Sequence, residues 1–254
     1  MTPTEQPDKS ADVFIIGAGI LGLMNALQYA KRGIRVVVVD NLQGQKRSYK
    51  VGESLLIFST MFFRTIGGLD EFLQESFPKH GVWFVHGMEG ERSFEGKPEF
   101  AFAGRTHPWV SSMFRDPLSF RCELEDCHIV RPEAEDLLVA QVRAHPNITL
   151  VDAARVKDVA LGEGTADHAI TWECLETRTE HTTRASWILD CSGRGRFLTK
   201  RFGHAVPRST FADDLQTTAV WAQFDGIDDG MFEAWRTTVA KGVDTRRDLS
   251  TVHL

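Results

Sequence analysis

The sequence predicts an α/β protein in which a parallel sheet is joined to an antiparallel β-meander. First, an apolar run, a glycine-rich turn, a helical pattern and a second apolar run follow one another, as in a βαβ unit. Second, successive short strand patterns separated by turn residues occupy the second half of the chain. Third, 42% hydrophobic and 25% charged residues are ordinary values for a folded globular chain.

Chain length and charge restrict the classes of function. A chain of 254 residues is expected to form one large domain, or a large domain with a smaller one. It is long enough to bury a core without disulfides or metals. The 29 Lys and Arg residues against 35 Asp and Glu give a net charge of -6, which argues against a nucleic-acid binder.

The cysteines and the apolar segments bear on location. Four cysteines without a CxxC pair suit a reducing compartment, so we expect a cytoplasmic protein. Cys122, Cys127 and His128 lie close in sequence, but no second ligand pair has a zinc-like spacing, and we assign no metal. The apolar stretch 13–24 contains three glycines and is shorter than a bilayer span of ~18 residues, so we expect no membrane span and no signal peptide.

The first elements form a βαβ unit after a flexible arm at 1–11. Val13–Ile16 is a continuous apolar run, which is typical of a strand buried on both faces. Apolar residues recur at helical spacing over Ile20–Lys31. A second buried strand is predicted at Ile34–Val39, and it ends at Asp40.

The middle of the chain has less regular patterns. Ser54 is predicted to cap a helix that runs to about Ile66 and ends at Gly67–Gly68. A strand is predicted at Val82–Val85. The stretch 88–121 mixes Gly, Pro, Trp and Phe with charges and predicts no regular element.

The second half of the chain reads as a helix followed by strands. The helix runs from about Pro132 to His145. The predicted strands are Ile148–Val151, Arg155–Leu161, Ala169–Leu175 and Arg184–Leu189, with turns at 162–164 and at Thr177–Thr183. Three strands in succession predict a β-meander before the chain returns to the first sheet at Trp187–Asp190.

The glycine-rich turn has the pattern of a dinucleotide-binding site. Gly17 permits the tight turn, Gly19 lets the backbone approach a pyrophosphate, and Gly22 lets the helix pack close to the strand. The helix start offers N–H groups and a positive dipole end to phosphates, and Asp40 is placed to accept hydrogen bonds from a ribose. The alternative is a glycine-rich turn in another α/β protein with a solvated Asp40. NAD and FAD share this motif, so it does not choose between them.

A second motif favours FAD over NAD as the cofactor. Trp187–Arg196 reads as a hydrophobic strand that ends in Asp-x-Ser-Gly, and with the glycine motif it resembles the FAD-dependent family of para-hydroxybenzoate hydroxylase-type monooxygenases, geranylgeranyl reductases and flavin-dependent halogenases. The resemblance implies a Rossmann-like FAD-binding domain with an inserted β-meander and the beginning of a β-rich substrate domain. It implies FAD as cofactor, with Asp190 and Gly193 along its ribityl and pyrophosphate part. An ordinary turn after a strand is the alternative.

A third segment resembles a family segment that contains an arginine. His128–Arg131 precedes the predicted helix, as in the family segment whose arginine contacts the cofactor. Cys127 stands where the family usually has an aromatic residue. Arg131 is therefore expected at the cofactor, with a surface arginine near a helix start as the alternative.

Two further segments resemble the halogenases in particular. Gly52, Glu53 and Ser54 resemble their Gly-Glu-Ser segment near the flavin ring, although Ile57 stands where halogenases usually have proline. The alternative is a capped surface helix with Glu53 solvated. Lys79 lies where halogenases carry their catalytic lysine, and burial would lower the pKa of its amine toward neutrality. The alternative for Lys79 is a solvated surface group.

The resemblance implies a domain plan and a shortened chain. The plan is an FAD-binding βαβ unit with a flavin-proximal helix (12–87), a substrate-domain-like insertion (88–126), the remainder of the FAD-binding domain (127–205) and an incomplete substrate domain (206–254). Family enzymes are longer, and their Trp-x-Trp-x-Ile-Pro motif is absent from this sequence. We therefore expect either an incomplete chain or a degenerate relative.

The function implied by the resemblance is that of an FAD-dependent halogenase. Reduced FAD, O2 and halide would give an electrophilic halogenating species, steered by Lys79 with Glu53, for an aromatic or electron-rich metabolite. One dinucleotide motif is visible, so a separate reductase is expected to supply reduced flavin. The alternatives are a hydroxylase or ene-reductase of the same fold, and a truncated, non-catalytic FAD-binding module.

Overall fold

The computed structural model describes residues 11–42, 52–74, 77–78, 81–85, 87, 90, 95–97, 99–103, 127–206, 226, 228 and 230–231. These residues belong to two compact units, of which the first comprises 1–49 and 132–218 and the second 50–131 and 219–254. Within the described part of the chain, no helix is long and apolar enough to cross a bilayer.

The described residues form helices and strands throughout the two units. In order they are β1 (Ala11–Ile16), α1 (Ile20–Ala30), β2 (Val36–Val39), β3 (Ser54–Leu55), α2 (Ile57–Thr65), α3 (Asp70–Gln74), β4 (Phe77–Pro78), β5 (Gly81–Val85), β6 (Glu99–Ala103), β7 (Cys127–His128), α4 (Arg131–Ala144), β8 (Ile148–Val151), β9 (Ala154–Ala160), β10 (His168–Cys174), β11 (Glu180–Asp190) and α5 (Phe197–Arg201), with a 3-10 helix at Gly193–Gly195.

The first unit is built on a six-stranded sheet of mixed direction. Its strand order is β8-β2-β1-β11-β10-β9. β8, β2, β1 and β11 pair in parallel, whereas β9, β10 and β11 form an antiparallel meander. β11 therefore joins the two halves of the sheet, since it is parallel to β1 and antiparallel to β10.

Both faces of the first sheet are covered. On one face, side chains of five strands form an apolar cluster against which α5 packs, with Phe14, Ile16, Val37, Val39, Ile170 and Trp172 among its members. On the other side, α1 contacts β1, β2 and β8. Leu23, Met24 and Leu27 of α1 are fully buried. Burial on both faces explains why β1 and β2 are continuous apolar runs.

The described part of the second unit contains two small sheets and the helices α2 and α3. β7 is the central strand of one sheet, with β3 on one side and β4 on the other. β5 and β6 form a separate antiparallel pair. An ion pair between Arg64 and Asp70 joins α2 to α3, with 2.5 Å between Nε and Oδ1.

The α/β class, the βαβ unit and the β-meander are confirmed by this fold, with shifted boundaries. The predicted turn at Thr177–Thr183 is too long, because β11 begins at Glu180 and pairs with β10 there. The predicted arm is one residue too long, since Ala11 already pairs with Ala185 in β1. Most of the predicted substrate-domain segments lie outside the described residues.

The prediction that Ser54 caps a helix is wrong. Ser54 lies in β3, where it pairs with His128 of β7. The helix begins at Ile57 with Leu56 as its N-cap, and no side chain caps it. A strand was also missed at Glu99–Ala103, within the stretch for which no regular element was predicted.

Candidate functional site

The carboxyl ends of β2, β1 and β11 lie side by side at one edge of the first sheet. Ile16 at the end of β1 is level with Val39 of β2 and with Asp190 of β11. Two hydrogen bonds continue the ladders beyond the strands, from Gly17 N–H to Val39 O (2.9 Å) and from Cys191 N–H to Ile16 O (2.8 Å). Ligands of open α/β sheets bind outside this edge, so the turns that follow these strands form the candidate site.

Two of the three motif glycines are required by close packing. Gly17 has φ +106°, and a Cβ there would lie 2.5 Å from the Cys191 carbonyl oxygen. A Cβ on Gly22 would lie 1.9 Å from the Gly17 carbonyl oxygen. Neither contact is possible for a real side chain, so these glycines let the turn, α1 and the end of β11 approach one another.

The third glycine faces open space. A Cβ on Gly19 would have no atom within 4 Å, and its φ of -73° is accessible to any residue. Packing within the protein therefore does not require glycine at this position. A ligand that approaches the backbone here would require it, as the motif predicts for a pyrophosphate.

The start of α1 is suited to an anion. Gly19 is the N-cap, no side chain caps the helix, and the first turn contains no acidic residue. The N–H groups of the first turn and the positive end of the helix dipole therefore point toward the carboxyl edge of the sheet. A phosphate at this position would receive hydrogen bonds from the backbone.

Asp40 connects β2 to the glycine-rich turn. Its Oδ2 accepts a hydrogen bond from Ala18 N–H and its Oδ1 from Asn41 N–H, each at 2.6 Å. The carboxylate thus holds the backbone between Gly17 and Gly19. Each carboxylate oxygen can accept a further hydrogen bond, so ribose hydroxyls could be bound at Asp40 without breaking these contacts.

Asp190 and Ser192 organise the turn after β11. Asp190 Oδ1 accepts from Ser192 N–H (3.0 Å) and from Ser192 Oγ–H (2.5 Å), while Oδ2 accepts from Leu198 N–H (2.8 Å). Ser192 Oγ in turn accepts from Phe197 N–H (3.0 Å). Gly193 follows with φ +58°. Asp190 therefore fixes both the turn beside Gly17 and the start of α5, a role that the Asp-x-Ser spacing could have indicated.

Cys191 lies between these groups but is a poor nucleophile. Burial raises the pKa of the Cys191 thiol, and the nearby Asp190 carboxylate raises it further. The thiol therefore stays protonated at neutral pH. Its contribution to the site is the backbone carbonyl against which Gly17 packs.

These features fit the adenosine diphosphate part of a dinucleotide. The open space at Gly19 and the uncapped start of α1 suit the pyrophosphate, and the Asp40 carboxylate suits the adenosine ribose. The predicted residues of the first unit, Gly17, Gly19, Gly22, Asp40, Asp190 and Gly193, all belong to turns at this edge of the sheet or to the start of α1.

The second unit brings together three segments that are far apart in the sequence. His128 of β7 pairs with Ser54 of β3 on one side and with Phe77 of β4 on the other. Leu55 and Pro78 likewise flank Cys127. Lys79 itself lies outside the described residues, but Pro78 directly precedes it in the chain.

Gly52 and Glu53 are held by the segment that leads into α4. Ile129 N–H donates to Glu53 O at 2.9 Å, and Arg131 Nη1 donates to Gly52 O over a longer distance of 3.4 Å. Gly52 has φ +104°, which favours glycine. Of the residues that hold this segment, His128 and Ile129 act through their backbones, and no side-chain pattern indicates such a role.

The fold and the first unit's site define a class, that of Rossmann-like proteins that bind a dinucleotide through a glycine-rich turn. Within that class, a family model described as an FAD binding domain matches residues 10–229. The chain belongs to this family, and FAD is its cofactor. The sequence-based prediction of FAD rather than NAD is thereby confirmed.

Known relatives include both halogenases and hydroxylases. A flavin-dependent halogenase of Armillaria mellea, armH1, is 25% identical over 224 residues, which are 87% of this chain and 38% of the relative. A 3-(3-hydroxy-phenyl)propionate/3-hydroxycinnamic acid hydroxylase of Paraburkholderia xenovorans is 28% identical over 193 residues, 74% of this chain and 27% of the relative. The chain thus spans well under half the length of these relatives.

The structural comparison agrees with the fold. A flavoprotein/dehydrogenase of Cytophaga hutchinsonii superposes with a TM-score of 0.56 at 24% identity. The superposition covers 77% of this chain and 42% of that protein.

Proposed function

We propose that this protein is an FAD-dependent oxidoreductase that halogenates an aromatic or other electron-rich metabolite. The observation that carries the proposal is the pairing of β3 and β4 with the same residue, His128 of β7. This pairing joins Gly52, Glu53 and Ser54 to the segment that leads into Lys79. These are the two segments that resemble those of halogenases near the flavin. The similarity to armH1 supports the same proposal.

The first unit is proposed to bind the cofactor. The start of α1 and the backbone at Gly19 would bind the pyrophosphate, and Asp40 would bind the ribose. Gly193 would allow the turn after β11 to pass close to the cofactor, with Asp190 holding that turn in place. When bound and reduced, FAD supplies the electrons for activating dioxygen, and a halogenase uses this chemistry to oxidise halide.

The second unit is proposed to direct the halogen. Lys79 would bind the halogenating species through its ammonium group, or accept the halogen on its amine if burial keeps that amine neutral. Halogenation of an aromatic ring releases a proton, and the Glu53 carboxylate is the group proposed to accept it. The backbone at Gly52 and Ser54 would lie close to the flavin.

The test of this proposal is halogenation by a Lys79→Ala variant. The protein is supplied with reduced FAD, O2, chloride or bromide, and an electron-rich aromatic compound, and the products are identified by mass spectrometry. We expect halogenated product to be lost in Lys79→Ala while FAD affinity stays within about twofold, because removing one steering group abolishes chemistry without touching the dinucleotide site. Lys31→Ala, at the far end of α1, is the control and should keep both halogenation and FAD affinity. Unchanged product formation in Lys79→Ala would exclude the role of the lysine.

A hydroxylase is the second candidate, and the similarity to the Paraburkholderia hydroxylase favours it. A hydroxylase would give an oxygenated product without halide and would not need Lys79. The same assay without added halide separates the two functions. A product that forms only with halide supports the halogenase, and an oxygenated product that is independent of halide supports the hydroxylase.

We also propose that a separate reductase supplies reduced FAD in the cytoplasm. The described cysteines Cys127, Cys174 and Cys191 are in the thiol form, which suits a reducing compartment. NAD(P)H added alone should then leave the bound FAD oxidised, whereas a flavin reductase with NAD(P)H should start turnover. Direct reduction by NAD(P)H, followed in the flavin absorption, would rule out the need for a reductase.

A further inference from the structure

We propose that Arg131 is a positioning residue, which fixes the backbone of Gly52 and Glu53 through the Gly52 carbonyl. The inference deepens the proposed function and rests on it, because Gly52 and Glu53 matter only if their segment lies near the flavin. The resemblance to known families assigned Arg131 to the cofactor. The contacts within the second unit point to a different role.

The guanidinium of Arg131 lies directly against Gly52. Nη1 is 3.4 Å from the Gly52 carbonyl oxygen, and a Cβ added to Gly52 would lie 3.0 Å from the same nitrogen. The first contact is a long hydrogen bond, strengthened by the positive charge of the donor. The second is tighter than an ordinary van der Waals contact. Any side chain at position 52 would therefore compete with Arg131 for space.

The contact lies next to the end of the pairing between β3 and β7. Ser54 pairs with His128, and one step further Ile129 N–H donates to Glu53 O at 2.9 Å. The chain then enters α4 at Arg131, where helical geometry ends the ladder. The Arg131 side chain adds a hydrogen bond to Gly52 O, one residue before Glu53.

The position of Glu53 depends on both of its neighbours. On its C-terminal side, Ser54 is fixed by β7. On its N-terminal side, Gly52 has φ +104°, a conformation that favours glycine. A glycine backbone has many accessible conformations, so it restricts the position of Glu53 only weakly by itself. Arg131 therefore adds a side-chain hydrogen bond on the N-terminal side of Glu53. Arginine suits the task because its planar group keeps a fixed direction, which the flexible lysine ammonium does not.

The experiment compares Arg131→Met with Gly52→Ala in the whole 254-residue chain. Arg131→Met removes the guanidinium, and Gly52→Ala displaces it without removing its charge. Hydrogen exchange of the Ile129 amide, which donates to Glu53 O, reports the local pairing. Binding of FAD and of ADP, each by titration calorimetry, reports the two parts of the cofactor separately.

The expected results separate positioning from direct cofactor contact. Ile129 exchange should rise by about tenfold or more in either variant, while exchange in β1 and β2 is unchanged, because the opening is local. FAD should bind several-fold more weakly than it binds wild type, while the affinity for ADP should stay within about twofold. An equal loss of affinity for FAD and ADP would instead mean that Arg131 contacts the phosphates that both ligands carry. In the double variant, Arg131→Met should add little to Gly52→Ala, because both disturb one contact.

Two results would overturn the inference. One is unchanged Ile129 exchange in Arg131→Met. The other is a loss of ADP affinity as large as the loss of FAD affinity, which would show that Arg131 binds the phosphates. If Arg131→Met does not fold, Arg131→Lys decides through the same exchange measurement: because a lysine ammonium lacks the planar guanidinium, exchange should still rise, and unchanged exchange would overturn the inference. That measurement needs no FAD and no turnover, so failure of the proposed halogenation would leave its result readable.

Discussion

At the scale of single residues, the glycines of one motif meet different physical demands. Gly22 is required by the protein itself, because any side chain there would overlap the Gly17 carbonyl oxygen. Gly19 faces open space, so the demand for glycine there comes from the ligand. The difference predicts that one substitution damages folding and the other damages binding.

Gly22→Ala is expected to lower the free energy of unfolding by about 3 kcal/mol or more, because backbone atoms must move to admit the methyl group. Gly19→Ala should cost no more than about 1 kcal/mol, as at other helix N-caps. It should nevertheless weaken FAD binding by about tenfold or more, since its methyl group occupies the space of the pyrophosphate. Urea unfolding and FAD titration of both variants check this. Normal FAD affinity in Gly19→Ala would contradict the placement of the pyrophosphate.

Two cysteines of the first unit should differ in reactivity. A hydrogen bond from the Thr177 side chain, helped by backbone N–H groups of Thr177 and Glu176, lowers the pKa of Cys174. Burial raises the pKa of Cys191. Because the thiolate is the reactive form, Cys174 should be alkylated faster at neutral pH.

The measurement is alkylation by iodoacetamide between pH 6 and pH 10, with each cysteine quantified by peptide mass spectrometry. The pH at which the alkylation rate reaches half of its maximum should lie below 9.0 for Cys174 and above 9.0 for Cys191. Thr177→Val should slow the alkylation of Cys174 and leave the alkylation rate of Cys191 unchanged. Faster alkylation of Cys191 than of Cys174 would contradict the assignment.

At the scale of elements, an ion pair joins the starts of β1 and β2. Asp12 Oδ2 accepts from Arg35 N–H (2.8 Å) and Nε–H (3.2 Å), and Oδ1 accepts from Nη2–H (2.7 Å). The side-chain hydrogen bonds from Arg35 lower the pKa of Asp12 below its ordinary 3.8. Both side chains are largely exposed, 42% for Asp12 and 59% for Arg35, so solvent screening is expected to keep the stabilisation small.

The sign of the pH dependence follows from the lowered pKa. Because the folded pKa lies below the unfolded one, the pair stabilises the protein above pH 3.8 and ceases to do so as the pH falls through the folded pKa. Asp12→Asn should therefore be less stable than wild type at pH 7 and equally stable in strong acid. Urea unfolding across this range is the measurement. A difference that persists unchanged in acid, or that is insensitive to 1 M salt, would contradict the ionic origin.

Elements that follow from a local apolar pattern were predictable, whereas strands that form only by pairing with a distant segment were not. β1, α1 and β8 follow from local apolar patterns, and their bounds match within one or two residues. β3 has two residues and exists because Cys127 and His128 pair with it, so the local sequence favoured a helix cap at Ser54 instead. β6 depends on pairing with β5. The glycine turn was predictable because its requirements are local, but the convergence of β3 and β4 on His128 was not.

At the scale of the whole molecule, the chain carries a net charge of -6 and belongs to a family that binds an anionic cofactor. Long-range attraction therefore does not explain binding. We expect the attraction to be local, from N–H groups and the helix dipole at the start of α1, which act over the first turn. Binding should accordingly depend on the first unit's backbone geometry more than on salt.

Stabilisation by FAD tests this account of the whole chain. FAD at 100 times its dissociation constant should add about 2.7 kcal/mol to the free energy of unfolding. For a protein of this size, that corresponds to a rise in melting temperature of roughly 5 to 10 °C. At the same FAD concentration, Lys79→Ala should keep the full rise and Gly19→Ala should lose about half of it or more. ADP should stabilise the protein, but riboflavin, which lacks the pyrophosphate, should not, because the backbone donors at α1 bind phosphate. Scanning calorimetry with each ligand measures the effect, and equal stabilisation by riboflavin and ADP would mean that the glycine turn does not hold the cofactor's phosphates.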